Sequence, residues 1–353
     1  MNRRKFIVSS LSTLALLAIL YYCCKAYNSS TCSSGDLIFL VSPNIGDEYY
    51  KDIVNSIINF QFNFLSNVRE GDKAYIIVDP ETYSKIRSFA KYKGNVVRGY
   101  IRDIWIRDFA PVVVKNRLYL FKYMPSYLNA NDAIWIQRSL KNWLDNLHIE
   151  YKEVDLILDG GNFVYDGVSK LILTTRVFKD NRDKSEREIL SILEGIDNID
   201  KMAVIPEEPN DVTGHADGMV LWLSPDTLLV NKYSGIFRDK VLNTLKDAFP
   251  DVNIIEIPYN PSYTTWKGFP SSCGNYVNAL VTKNNIYLPI YGTSIDHEVI
   301  NIYRENSDKN IIPIDISDIC ILGGGIHCLT WNLPPTLAKE IKSKISRSTA
   351  FQY

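Results

Sequence analysis

Between Val112 and Ile314 the chain passes four times through one order of elements: a β-hairpin, an amphipathic helix and a strand. No other feature narrows the fold as far. The hairpins read as Val112–Lys122, Phe163–Thr174, Met219–Asn231 and Tyr276–Ile290, with turn-forming residues at Lys115-Asn116-Arg117, Tyr165-Asp166-Gly167, Ser224-Pro225-Asp226 and Lys283-Asn284-Asn285. Helices follow at Asp132–Leu147, Lys184–Gly195, Gly235–Ala248 and Ile295–Glu305, and strands at Val154–Leu158, Met202–Ile205, Val252–Ile257 and Asn310–Ile314. Pro313 lacks a ladder donor, which places the last of these strands at a sheet edge. The hairpins start roughly fifty to sixty residues apart, a spacing typical of repeat architectures. A strand at Asp36–Ser42, a helix at Asp47–Leu65 and a strand at Lys73–Asp79 complete the set if a C-terminal strand joins them. The expectation is an α/β protein of about five ββαβ units in a ring, with an ordinary mixed sheet as the alternative.

A ring of equivalent units brings residues of the same phase to one end of its axis. Just before each hairpin the chain carries Trp105-Ile106-Arg107-Asp108, Asp159-Gly160-Gly161-Asn162, Thr213-Gly214-His215-Ala216-Asp217 and Cys273-Gly274-Asn275. After the last strand-like run, Ile311–Leu322, comes Gly323-Gly324-Gly325-Ile326-His327-Cys328. The arrangement predicts one locus holding a thiol, one or two imidazoles and at least two carboxylates. A small buried cysteine is the ordinary reading of Cys328 taken alone. Its phase relative to the acidic and imidazole segments makes it a candidate nucleophile.

A thiol ionises near pH 8.5, so a neighbouring imidazole or a bound cation is needed to raise its reactive fraction at neutral pH. Two carboxylates suit the holding of a planar cation by paired hydrogen bonds. A guanidinium held in that way presents its electrophilic carbon to sulfur, and His215 titrates in the range needed to shuttle protons. The net charge of −1 gives no electrostatic footprint for nucleic acid.

Arg3-Arg4-Lys5 followed by the apolar run Phe6–Cys24 reads as a signal peptide or membrane anchor over residues 1–27, with a linker at 28–35 and one catalytic domain over 36–353. Positive charge ahead of the apolar run predicts that the body lies outside the cytoplasm, exported or anchored through residues 6–24. Cys273 and Cys320 read most simply as core residues, although an oxidising compartment permits a disulfide if they are close.

These segments resemble the agmatine deiminase and Porphyromonas-type peptidylarginine deiminase family of the guanidino-group-modifying superfamily. The likeness rests on Trp-x-Arg-Asp-x-x-Pro at Trp105–Pro111, Asp-Gly-Gly-Asn at Asp159–Asn162, Gly-His-x-Asp at Gly214–Asp217 and Gly-Gly-Gly-x-His-Cys at Gly323–Cys328. It implies a five-bladed α/β propeller, Cys328 as nucleophile, His215 as general acid/base, and Asp108 and Asp217 as the clamp on a guanidinium, with no metal or cofactor. Trp105, Asp159, Asn162, Gly325 and Trp331 are further candidates to contact the substrate, which the resemblance makes agmatine or an arginine-containing peptide. Leu329-Thr330-Trp331-Asn332 stands where agmatine enzymes usually carry Ile-Thr-Gln-Gln, and Gly274–Asn278 is closer to the secreted peptidylarginine type. His327, beside the nucleophile on an apparently extended segment, is expected to point to the opposite face and serve structure. The competing readings are a zinc hydrolase using His215, Asp217, His327 and Cys328, and an exported binder of arginine or polyamines without turnover.

Overall fold

The computed structural model describes residues 35–69, 71–86, 95–262 and 264–347. The expected leader and most of the linker lie outside them. Each hairpin and its following strand form one small sheet. Val112–Val114, Arg117–Lys122 and Lys152–Ile157 make the first, Val164–Tyr165, Lys170–Thr174 and Lys201–Ile205 the second, and Val220–Ser224, Thr227–Asn231 and Asn253–Ile257 the third. The fourth is Leu280–Val281, Asn285–Ile290 and Asn310–Asp315, in which the Pro313 strand occupies an edge as its missing N–H requires. In all four the hairpin is antiparallel and the returning strand is parallel to its neighbour.

Apart from a two-stranded ribbon of Thr265–Trp266 and Phe269–Pro270, the other sheet has four strands and joins the two ends of the described chain. Leu37–Val41 pairs in parallel with Lys73–Val78, which pairs with Val96–Arg98, while Trp331–Leu333 adds antiparallel with Leu37 opposite Leu333. Helices cross between the paired strands at Val54–Asn67, Ala130–Asn146, Glu186–Glu194, Gly235–Ala248 and Ile295–Glu305. Two of them start on side-chain caps. Asn129 accepts from the Asp132 amide, and Ser185 with Glu188 forms a reciprocal capping box.

The apolar core is divided among neighbouring sheets. Phe39 and Leu118 share one cluster with Leu140, Tyr119 and Leu171 the next with Ile189, and Ile172 and Leu228 a third with Leu245. Leu229 and Leu288 share a fourth with Val299, and Tyr287 returns to Ile38 in a fifth with Ile57. Each sheet therefore packs on two others through a helix whose apolar stripe fills the gap. The architecture is a mixed α/β fold.

Several boundaries differ from expectation. The helix expected from Asp47 begins at Val54, after a run of turns. The first strand of the last hairpin is only Leu280–Val281, because Gly274 adopts φ +86° and residues 274–278 turn toward the site. The run Ile311–Leu322 is not one strand. Extended pairing ends at Asp315, and Cys320–Leu322 coils into a 3₁₀ turn. That turn is tied by a Cys273–Cys320 disulfide, so these two cysteines are bonded rather than free core residues.

Candidate active site

The segment carrying Cys328 enters through Gly323 at φ +102°, a left-handed conformation that a side chain would strain. The next two glycines serve close approach. A Cβ at Gly324 would strike the Trp105 ring, and one at Gly325 would lie 2.6 Å from Asn278 Oδ1. Asn278 then fixes the thiol: its Nδ2 donates to Cys328 Sγ at 3.2 Å, while its Oδ1 accepts from the Cys328 amide at 3.3 Å. Its backbone oxygen accepts from the His327 amide at 3.2 Å. The thiol in turn lies 3.5 Å from Asp217 Oδ2.

The acids and His215 come from short helical turns ahead of the hairpins, at Ile106–Phe109, Gly160–Asn162 and Ala216–Gly218, with Asp159 and His215 at the N-caps of the last two. His215 Nε2 meets Asp159 Oδ2 at 3.0 Å, which turns Nδ1 toward Asp108 Oδ1 at 3.6 Å. Gly161 makes room for this pair, since a Cβ there would lie 2.5 Å from Nδ1 and 2.8 Å from Asp108 Oδ1. Asp108, His215 and Asp217 are 7%, 5% and 3% exposed. On both Asp108 and Asp217 the Oδ1 atom is buried and has no hydrogen-bond partner among the described residues. Buried carboxylate oxygens left in that state are costly, and they mark a place for a donor-rich cation.

Burial and the nearby carboxylates shape the protonation states. Burial raises the Asp108 carboxyl to about 8, reinforced by Asp159 and Asp217 and opposed by His215. For His215 burial works against the charged form, but Asp108, the hydrogen bond that Nε2 donates to Asp159, and Asp217 outweigh it and hold the imidazole cationic. Burial opposes ionisation of Asp217 too, yet His327, His215 and Arg107 keep its carboxyl below the usual range. Cys328 is pushed well above an ordinary thiol by burial and by Asp217 and Asp108. The thiol of the free protein is thus neutral at pH 7, and a cation placed between the two aspartates is what would lower its pKa.

Cys328, His215, Asp108, Asp217, Trp105 and Gly325 all line one cavity of about 810 Å³. Three other residues proposed to contact substrate stand behind that wall. Asp159 orients His215. Asn162, 1% exposed, accepts from the Thr174 and Ala216 amides and braces two turns. Trp331 is 1% exposed, stacks on Phe39 and donates from Nε1 to the Pro111 carbonyl at 2.8 Å.

His327 also departs from expectation. The segment is a turn, with the Leu329 amide bonded to the Gly325 carbonyl, so strand alternation does not apply and Nδ1 reaches Asp217 Oδ2 at 2.7 Å. The two imidazoles therefore belong to different carboxylates. Among the described residues no three His, Cys, Asp or Glu side chains are gathered as metal ligands, so the four residues of the zinc alternative do not form one ligand set. Sequence reasoning gave no role to Asn278 or Arg107. Arg107 donates from Nε to the His327 carbonyl and from Nη2 to Asn332 Oδ1, bracing the nucleophile segment from behind. Asn278 could have been found from its polar character at the phase of the other site residues.

Residues 34–334 match the family model described as Porphyromonas-type peptidyl-arginine deiminase, and the chain belongs to that family. A Mycoplasma capricolum protein provisionally named an agmatine deiminase is 23% identical over 322 residues, covering 78% of this chain and 86% of its own. Among solved structures, C. jejuni agmatine deiminase superposes with a TM-score of 0.73 at 19% identity, over 85% of this chain and 94% of that one. The Enterococcus faecalis agmatine deiminase gives 0.69 at 16% identity, over 86% and 94%. At these identities the superpositions establish the shared fold.

Proposed function

We propose that the protein hydrolyses a C–N bond of a guanidinium group, giving a ureido product and ammonia. The observation that carries this reading is the pair of buried Oδ1 atoms on Asp108 and Asp217 that accept no hydrogen bond among the described residues, in the wall that also holds the Cys328 thiol. A guanidinium offers N–H donors in a plane, matching two carboxylates on either side. As the cation enters, Cys328 releases its proton to bulk water, His215 being already protonated, and the guanidinium charge stabilises the thiolate left behind. Sulfur then adds to the central carbon, the C–N bond to one terminal nitrogen breaks, and that nitrogen leaves as ammonia with a proton from His215. Water adds to the resulting thiouronium carbon with His215 Nδ1 taking its proton, and collapse expels the thiol and leaves a C=O. Asp159 keeps the imidazole oriented through both steps. Asn278 steadies the sulfur.

The substrate is agmatine or a peptidyl-arginine, the two classes carried by the names of the relatives and of the family. The further reading is a five-bladed α/β propeller, supported by the five sheets of three or four strands, whose apolar clusters follow one another around and back to the first. Export, with residues 6–24 as a signal or anchor, draws support from the Cys273–Cys320 disulfide, since such bonds persist in oxidising compartments. Ammonia release from agmatine, free arginine and arginine-containing peptides tests the activity and ranks the substrates. Absence of release from every guanidino compound would defeat it.

A further inference from the structure

A second concave feature adjoins the active cavity. A groove of about 490 Å³ is lined by Arg98, Tyr100, Arg102, Trp135 and Arg138, with Trp143 below, and it contains no Asp or Glu among its described residues. Arg102 and Trp135 also line the active cavity, so the two spaces share a wall. We infer that this groove extends the substrate site and binds a carboxylate on a polypeptide whose target arginine occupies the main cavity. The inference rests on the deiminase reading and adds the class of substrate.

Charge distribution is the first support. The main cavity carries Asp47, Asp103, Asp132, Glu208 and Asp211 besides the two clamp aspartates, against the cations Arg102, Lys267 and His215. The groove presents Arg102 and Arg138, with no acid among its described residues. In a chain of net charge −1 that separation of signs is local, and it fits a ligand that is cationic at one end and anionic at the other. Agmatine, cationic at both ends, gains nothing from the outer groove.

The state of the arginines is the second support. Neither Arg102 nor Arg138 forms a salt bridge among the described residues. The Arg102 guanidinium carbon lies 4.9 Å from the Trp135 ring centre and 5.7 Å from that of Tyr100, and its backbone amide donates to Ser139 Oγ at 3.1 Å. A guanidinium held over aromatic faces keeps its in-plane donors free for a carboxylate and loses little entropy on using them. Tyr100 and Trp135 are themselves 57% and 51% exposed, large rings that a peptide chain would cover.

The test uses the full-length protein and end-capped peptides with one arginine and, one to six residues to either side, a Glu or a Gln. At one or more offsets the Glu peptide should show a KM roughly three- to fivefold lower, with kcat unchanged and the advantage shrinking in high salt. Arg138→Gln should abolish that advantage while leaving kcat on agmatine unchanged, and Arg138→Glu should turn the preference toward a Lys peptide. A gain confined to peptides with a free C-terminus, and lost in Arg138→Gln, keeps the carboxylate site and identifies the chain end as its source. Equal KM for Glu and Gln peptides at every offset, or an advantage that survives both Arg138 variants, would overturn the inference. Turnover of agmatine without turnover of any peptide would overturn it as well and leave the deiminase reading standing. Failure of every guanidino substrate would overturn both.

Discussion

Asp108→Asn tests the clamp with the hydrogen bonds around the thiol intact, because Asp108, unlike Asp217, makes none to the thiol or to His327, although it also removes a carboxylate beside His215. The change keeps the shape and one acceptor but removes the charge that Asp108 takes on when a cation lies beside it. A guanidinium about 4 Å away at an effective dielectric near 20 is held by about 4 kcal/mol. A hydrogen bond to a charged group contributes about 1.5–3 kcal/mol net. With the amide oxygen still able to accept, the expected loss is about 2–4 kcal/mol of transition-state binding, roughly 30- to 1,000-fold in kcat/KM. Steady-state ammonia release measures it, with circular dichroism to confirm folding. Stability should move the other way. Because the folded state raises the Asp108 pKa to about 8, this group's contribution is full below the ordinary carboxylate range near pH 4 and is lost as pH rises through about 8. The variant escapes that loss, so its melting temperature relative to wild type should rise between pH 4 and pH 9. Unchanged kcat/KM in a folded Asp108→Asn protein would refute the clamp.

In the free protein the buried thiol should react slowly with neutral iodoacetamide at pH 7 and faster only above pH 9, whereas 2-chloroacetamidine, which brings its own positive charge, should alkylate Cys328 near neutrality; equal rates at pH 7 would contradict activation by the bound cation. Cys273→Ala with Cys320→Ala should lower stability by up to about 4 kcal/mol, the loop-entropy value for a separation of 47 residues, as read by denaturant unfolding. Trp331→Phe should lower the melting temperature by removing the bond to Pro111 and part of the stack on Phe39, while KM stays within about twofold, because the ring never reaches the cavity.

Much of this was legible because the repeat has a strong period. Alternating strands, turn residues and helical spacing fixed the units locally, and equal phase then gathered Asp108, His215, Asp217 and Cys328 without long-range information. What failed was direction. Strand alternation sent His327 away from the site, but the three glycines before it allow a turn, and the turn delivers both His327 and Cys328 to Asp217. Asp159 and Asn162 carry the polar types of substrate contacts, and only the packing of three turns shows that they brace and orient. Trp331 and Asn332 looked like a change at the site. They are strand residues opposite Phe39 and Ile38, so their variation alters the support rather than the cavity. Pairing of Cys273 with Cys320 is a product of the fold, since they lie 47 residues apart with three strands and a helix between them.

The central claim is a covalent bond between Cys328 and the guanidinium carbon. Acid quenching during turnover, followed by intact-mass and peptide spectrometry, should find a species heavier than the protein by the substrate less ammonia, located on Cys328 and absent from Cys328→Ser, which should release no ammonia. Turnover with no such adduct under any quench condition, together with ammonia release by Cys328→Ser, would contradict the account.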